Sequence, residues 1–104
     1  MKRLLLTTAL LAASTVTIAA NDMHVSDTLN ARDNTQATLT GTLGKSLGHE
    51  RYEFSDASGQ ITVEIDDDIT RHITLKNGQE VTLYGEIDRE HDTNEFEVDY
   101  LTIN

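Results

Sequence analysis

Tyr52-Glu53-Phe54-Ser55-Asp56-Ala57-Ser58-Gly59-Gln60-Ile61-Thr62-Val63-Glu64-Ile65-Asp66 alternates apolar and polar side chains on both sides of a short polar break. Period-two alternation marks a half-buried strand. Tyr52 and Phe54 then share one face, with Arg51, Glu53 and Ser55 on the other. After the break, Ile61, Val63 and Ile65 point inward, and Gln60, Thr62 and Glu64 outward. Asp56-Ala57-Ser58-Gly59 reads as a turn, with Asp56 bonding its own backbone and Gly59 supplying a positive φ. The two strands are predicted to form a hairpin.

The same period extends outward in both directions. Upstream, Ala37, Leu39, Gly41 and Leu43 alternate with Thr38, Thr40 and Thr42. Glycine inside a strand marks a bulge or sharp bend, so Gly41 is read as a bend. Gly44 to Gly48 is read as a loop. Downstream, Asn77-Gly78 is a turn, Val81, Leu83 and Ile87 face inward, and Gly85 marks a second bend. Arg89 to Asn94 reads as a charged turn before a last strand beginning at Glu95. The phase of that strand slips near Tyr100-Leu101, which predicts a bulge. Residues 66 to 75 form a short helix or an irregular link, with acids at the start and Arg71 and His72 near the end to suit a helix dipole. Asn21 to Asp27 reads as a loose tail. Ser26 to Arg32 allows one or two helical turns, capped by Ser26 or Asp27, with Leu29 buried.

The fold class that follows is all-β: five short strands with one or two short helical segments. Closure removes the exposed edges of so small a sheet, and a five-stranded barrel of this kind is the OB-fold. Mid-strand glycines are what a tightly coiled strand needs to turn a corner. A sandwich would need about seven strands.

Residues 1–20 stand apart. Lys2 and Arg3 precede an apolar run from Leu4 to Ala13, and the segment ends in Ala19-Ala20. A basic start, a short apolar core and a small-residue end are the parts of a secretory signal peptide. A spanning helix needs about 20 apolar residues, more than this threonine-rich stretch offers. The expected layout is a signal peptide at 1–20, cut after Ala19 or Ala20, a tail and short helix at 21–34, and the OB-fold domain at 35–104. The expected location is the periplasm, with no membrane insertion once the signal is removed. The full chain carries 18 acidic and 8 basic side chains, a net charge of −10. Lys2 and Arg3 leave with the signal, so 84 residues hold 18 acids against 6 bases, or −12.

The hairpin together with Val81-Thr82-Leu83-Tyr84-Gly85-Glu86-Ile87-Asp88 closely resembles the bacterial OB-fold (BOF) family, the YgiW/YdeI-type periplasmic stress-tolerance proteins. Thr38-Leu39-Thr40-Gly41 resembles that family's first strand and Glu95 to Leu101 its last. The resemblance covers residues 26 to 104. It implies a periplasmic OB-fold domain without enzyme activity and with a part in tolerating envelope stress. Family members often carry a tryptophan after the third strand. Asp67 to Thr74 holds none, so no role placed on that tryptophan transfers.

Composition narrows the chemistry. With no cysteine, the chain has no disulfide, thiolate metal site or cysteine nucleophile. It has no tryptophan and five other aromatics, three Tyr and two Phe. Nucleic acid is bound by basic grooves and outward aromatics, and neither is in the pattern, so no nucleic-acid partner is expected. No nucleophile elbow, phosphate loop or metalloprotease helix is present, so no enzyme and no cofactor are expected. An OB-fold binds on the outer face of strands two and three and the flanking loops. That surface gives the candidate ligand-binding residues Arg51, Glu53, Thr62 and Glu64, with Lys45, His49, His91 and Asp92 from the loops.

Asp66, Asp67, Asp68 and His72 are weaker candidates for a divalent cation. Carboxylates and imidazole suit calcium or zinc, but the spacing fits no calcium loop, and a solvated helix start is the better reading. The four histidines titrate near pH 6.5 when unperturbed, so acid would make this surface less negative. The leading expectation is a monomeric, non-catalytic binding module for a cationic peptide, a cell-wall component such as peptidoglycan or an envelope protein. The alternative is a divalent-metal buffer using acidic and histidine side chains.

Overall fold

The computed structural model describes residues 21–104. The signal-peptide reading lies outside the described residues.

Five strands close into a barrel in the order β1-β2-β3-β5-β4, with β4 pairing back to β1. In chain order the elements are α1 (Val25–Thr28), β1 (Gln36–Gly48), β2 (Arg51–Asp56), β3 (Gly59–Ile65), α2 (Asp67–Thr70), β4 (Gln79–Glu90) and β5 (Thr93–Ile103). All neighbours are antiparallel except β3 and β5, which run parallel over Val63, Glu64 and Ile65 against Phe96, Glu97 and Val98. This is the OB topology. The alternation read from the sequence points into the barrel as expected. Leu39, Phe54, Val63, Ile65, Val81, Leu83, Ile87 and Phe96 are fully buried.

Closure depends on two glycines. β1 pairs with β4 through residues 36–43 and with β2 from Thr42 onward, so it must bend near Gly41 to change partners. A Cβ at Gly41 would overlap the Ser55 carbonyl oxygen and lie 2.9 Å from Phe54 Cζ. A Cβ at Gly85 would overlap the Glu97 carbonyl oxygen. Both glycines therefore mark close backbone approach. The predicted bulge in the last strand falls at Asp99, where the register passes from Tyr84↔Tyr100 to Gly85↔Val98. The Tyr84 and Tyr100 rings stack just beyond it, with centroids 4.4 Å apart.

Several sequence expectations are corrected. Gly44 to Gly48 is not a loop but the continuation of β1, which gains a residue on β2 at each of two irregularities. Backbone pairing with β2 overrides the two glycines there. Arg89 to Asn94 is mostly strand, and the turn is only His91-Asp92. Gly59 has no positive φ. It pairs with Asp56 as an ordinary strand residue, and a Cβ there would meet only Val25 Cγ1 at 3.7 Å.

The amino-terminal segment differs most. Leu29 is exposed, while Val25 and Thr28 are fully buried. Residues 21–27 are not loose. Met23 N–H donates to the Thr38 carbonyl at 3.0 Å and Thr38 N–H to the Asn21 carbonyl at 2.9 Å, which lays this strap along β1. The helix cap is His24, whose N–H donates to Asp27 Oδ2 at 3.1 Å. The first helical N–H groups are met across the fold, Val25 by Asp56 Oδ2 at 2.9 Å and Ser26 by Ser58 Oγ at 2.9 Å. Burial would raise the Asp56 pKa, but bonds from Ser58, Val25 and Gly59 outweigh it and hold the carboxyl below its ordinary value. Asn94, placed in a charged turn by the sequence, is buried and donates to the Thr28 and Ala31 carbonyls at 2.7 and 3.0 Å.

Gly85→Ala is expected to cost about 2 kcal/mol or more, because the overlapped atom is backbone and cannot turn aside. Gly59→Ala should fall within about 0.5 kcal/mol of the parent. Denaturant unfolding of the two variants checks this contrast.

Candidate functional site

The outer face of the barrel is built by the polar half of each strand's alternation. One row crosses all five strands: Gln36↔Glu86, Glu86↔Glu97, Glu97↔Glu64 and Glu64↔Arg51. Three carboxylates thus stand side by side, with one guanidinium at the end. Glu95 and Asp88 form a pair in the adjacent row. Arg51 Nε donates to Glu95 Oε1 at 3.0 Å, and its terminal nitrogen lies 3.9 Å from Glu64 Oε2. The bond and charge of Glu95 raise the Arg51 pKa further.

Beside this row, where β3 and β5 part and α2 begins, lies a cleft of about 370 Å³. Its lining is Glu50, Glu64, Asp66, Asp68, Glu97 and Asp99, with Ile69 and Val98 as its apolar members. Local structure places each acid. Glu50 sits at a positive φ of 65° in the β1–β2 turn, and its Oε2 accepts Asp67 N–H at 2.7 Å. Asp66 caps α2 by accepting Asp68 N–H at 2.8 Å. Asp68 meets Arg71 at 3.1 Å. Glu64 and Glu97 come together through the parallel pairing, and Asp99 is the bulge residue. Loss of hydration and repulsion from Glu64, Asp88, Glu86 and Asp99 raise the Glu97 pKa above its ordinary value.

The turns that flank the face are minimal. His49-Glu50 has φ of 51° and 65°, and His91-Asp92 has φ of 49° and 65°. Paired positive φ values are the signature of a two-residue type I′ hairpin turn. Neither connection offers a long loop to fold over a ligand.

The structure therefore sorts the sequence candidates. Arg51, Glu53, Thr62 and Glu64 do share the β2–β3 face, paired as Arg51↔Glu64 and Glu53↔Thr62. His49, His91 and Asp92 are exposed at the two turn tips. Lys45 is exposed on the irregular end of β1 rather than in a loop. Asp66 and Asp68 reach the cleft, but each is also tied into the start of α2. Asp67 opens that helix, and His72 is exposed beyond its end. Among the described residues, no three acidic or histidine side chains converge with the geometry of an ion cage. The sequence reading missed Glu50, Glu97 and Asp99. Glu95, Glu97 and Asp99 alternate on one face in the sequence, but their neighbour β3 is about 30 residues away in the chain. Only the OB strand order, with β5 beside β3, would have pointed to them.

A family model described as "Bacterial OB fold (BOF) protein" matches residues 12–103. The chain belongs to the BOF family. The BOF chain is 34% identical over 99 residues to the "Calcium-regulated OB-fold protein CarO" of Pseudomonas aeruginosa, covering 86% of this chain and 85% of CarO. It is 36% identical over 72 residues to "Protein YgiW" of Escherichia coli K12, covering 69% of this chain and 54% of YgiW. It therefore spans little more than half the length of YgiW. A solved structure of the hypothetical protein ygiW from E. coli superposes with a TM-score of 0.76 at 28% identity, covering 82% of this chain and 91% of that one. The telomere capping protein Ten1 of Saccharomyces pombe superposes at 0.65 with 12% identity, which shows the fold alone. Neither CarO nor YgiW is named for a catalytic activity. No helix among the described residues is long and apolar enough to cross a membrane.

A carboxyl whose pKa is raised on folding is charged at a cost in stability at neutral pH, and the cost vanishes as pH falls through its folded value. Glu97→Gln should therefore raise Tm at pH 7, on the order of 2 °C from a cross-strand repulsion of a few tenths of a kcal/mol. The advantage should shrink to nothing below about pH 4. Melting curves of parent and variant across pH check both halves.

Proposed function

We propose that this BOF chain is an exported, non-catalytic binding module with a part in envelope stress tolerance, and that its ligand is cationic. The observation that carries this reading is the cleft with six carboxylates, flanked by a row of carboxylates on β3, β4 and β5. Lost hydration first, and then repulsion from Glu64, Asp88, Glu86 and Asp99, raise the Glu97 pKa, and a bound cation would relieve the repulsive part of that cost. The surrounding field has the same sign, because residues 21–104 carry −12. Such a surface attracts a positively charged partner and repels a phosphate backbone. A polycationic peptide fits better than a single metal ion. Several spaced carboxylates suit several spaced charges, whereas a small ion needs a converging cage of oxygens.

Export to the periplasm rests on the basic start, apolar run and small-residue end of residues 1–20. A monomer suffices, since the closed barrel leaves no sheet edge to be covered by a second copy.

The test is calorimetric titration of residues 21–104 with a polylysine peptide. Binding is expected to weaken about tenfold between 0.05 and 0.5 M salt through screening. It should also weaken as pH falls through the raised Glu97 pKa and that carboxylate loses its charge. Glu97→Lys with Asp99→Lys should lower affinity about tenfold, and Glu80→Lys, whose backbone pairs away from the cleft with Thr42, less than twofold. Equal loss in all variants would leave general acidity and no site. Micromolar affinity for DNA or RNA at 0.15 M salt would overturn the reading, and tight stoichiometric binding of a divalent metal would favour the metal-buffer alternative.

A further inference from the structure

The outer face of β1, β4 and β5 changes character one row beyond the acids. Next to the Gln36–Glu86–Glu97 row stands Thr38–Tyr84–Tyr100, and after it Thr40–Thr82–Thr102. Neither row holds a charged side chain on these three strands, although residues 21–104 carry −12. Glu86 borders the two rows on one side and Glu80 on the other, and Asp22 of the strap stands beside Thr38. The Tyr84 and Tyr100 rings lie 4.4 Å apart and within 10° of parallel, so each gives one face to the other. Tyr100 nonetheless remains 42% exposed. Beside the rings, Asn104 Nδ2 donates to Thr82 Oγ1 at 3.0 Å, and Thr82 Oγ1 is 3.1 Å from Thr40 Oγ1 in a second hydrogen bond. These bonds cross from β5 through β4 to β1 and hold the hydroxyls in place. Thr40 and Thr102 are exposed on either side of Thr82.

We propose that this face binds an uncharged, β-linked oligosaccharide, with one sugar ring on Tyr100 and the next over the Thr40–Thr82–Thr102 row. Charge decides the class of ligand. A cationic partner is drawn to the acidic cleft, and a phosphate chain is repelled by the whole field. Only a neutral molecule gains from a place where the charges stop. Chemistry decides the rest. A pyranose has an apolar C–H face, which packs on an aromatic ring, and a rim of hydroxyls, which exchange hydrogen bonds with Thr hydroxyls and an amide. The patch runs from Tyr100 to Asn104, about 14 Å along β5 and about 10 Å across three strands. That is far below the roughly 800 Å² per partner of a stable protein interface, but long enough for two or more sugar rings. A proline-rich peptide needs a groove between aromatic rings, and two rings in contact leave none. The sheet face is extended, so it suits the extended ribbon of a β-linked chain better than the coil of an α-linked one. The face shares no lining residue with the cleft, and the inference stands apart from the cationic-ligand reading.

The experiment titrates residues 21–104 with cellotetraose and chitotetraose, which are β-linked, and with α-linked maltotetraose. Tyrosine fluorescence reads the rings, since the chain has three Tyr and no Trp, and amide chemical shifts locate the contact. Saturable binding of a β-linked chain is expected, with shifts at Thr82–Tyr84 and Tyr100–Asn104, and maltotetraose should bind more weakly. Affinity should stay within about twofold from 0.05 to 0.5 M salt, because no ion pair is involved. Tyr100→Ala should weaken it about tenfold, the size of one lost stacking contact, while Tyr100→Phe, which keeps the ring, should stay within about twofold of the parent. Melting curves show whether each variant keeps the barrel, and the comparison of sugars and salt needs no variant. No saturable binding of either β-linked chain, affinity unchanged by Tyr100→Ala, or maltotetraose binding as well as the β-linked chains would overturn the inference. So would a strong fall of affinity with salt, or a proline-rich peptide taking the same face in their place.

Discussion

The close backbone approach at Gly41 and Gly85 is the constraint from which the rest of the molecule follows. Gly41 lets one strand of 13 residues serve β4 with its first half and β2 with its second. Gly85 lets β4 press against the Glu97 carbonyl just before the Asp99 bulge. Together they close a barrel from about 50 strand residues. A small domain buries only about 60% of its unfolded surface, and this one has no disulfide to assist it. Closure is how it gathers enough apolar surface, from Leu39 to Phe96, into one core. The plug at Val25 completes that core, which is why the strap belongs to the domain rather than preceding it.

The same closure assembles the acidic site. Because β5 lies parallel to β3 and antiparallel to β4, Glu97 stands between Glu64 and Glu86. The bulge then turns Asp99 to the cleft. Like charges placed opposite one another on a sheet are destabilising, and Arg51 compensates only the Glu64–Glu95 end of the cluster. A sequence that served folding alone would interleave charges of both signs. Local rules are broken where function asks for it. The raised Glu97 carboxyl owes most to lost hydration and the rest to these neighbouring acids.

Much of the barrel was legible in residues alone. The β2–β3 hairpin, the inward sets on β1 and β4 and the two bending glycines follow from a period of two, and local alternation survives burial. Gly59 was misread because a glycine after Asp-Ala-Ser suggests positive φ, while the turn closes without it. The strap was misread because Val25 is a lone apolar residue among polar ones, with no periodicity to signal burial. Its burial comes from Asp56 and Ser58, some 30 residues away. On the outer face, Arg51, Glu53, Thr62 and Glu64 were grouped because they lie on neighbouring strands of one hairpin. Glu97 and Asp99 were not, since their adjacency to Glu64 is set by a parallel pairing that leaves no local mark.

The central claim is that cations are bound at one place, where β3, β5 and α2 meet, and not over the whole acidic surface. Amide chemical-shift mapping of residues 21–104 during titration with a polylysine peptide tests it most directly. The account predicts saturable shifts concentrated at Glu64–Ile69 and Phe96–Tyr100, with β1 and the Thr82–Tyr84 segment nearly still. Shifts spread evenly over all the acidic residues, or concentrated at the two histidine turns, would contradict it.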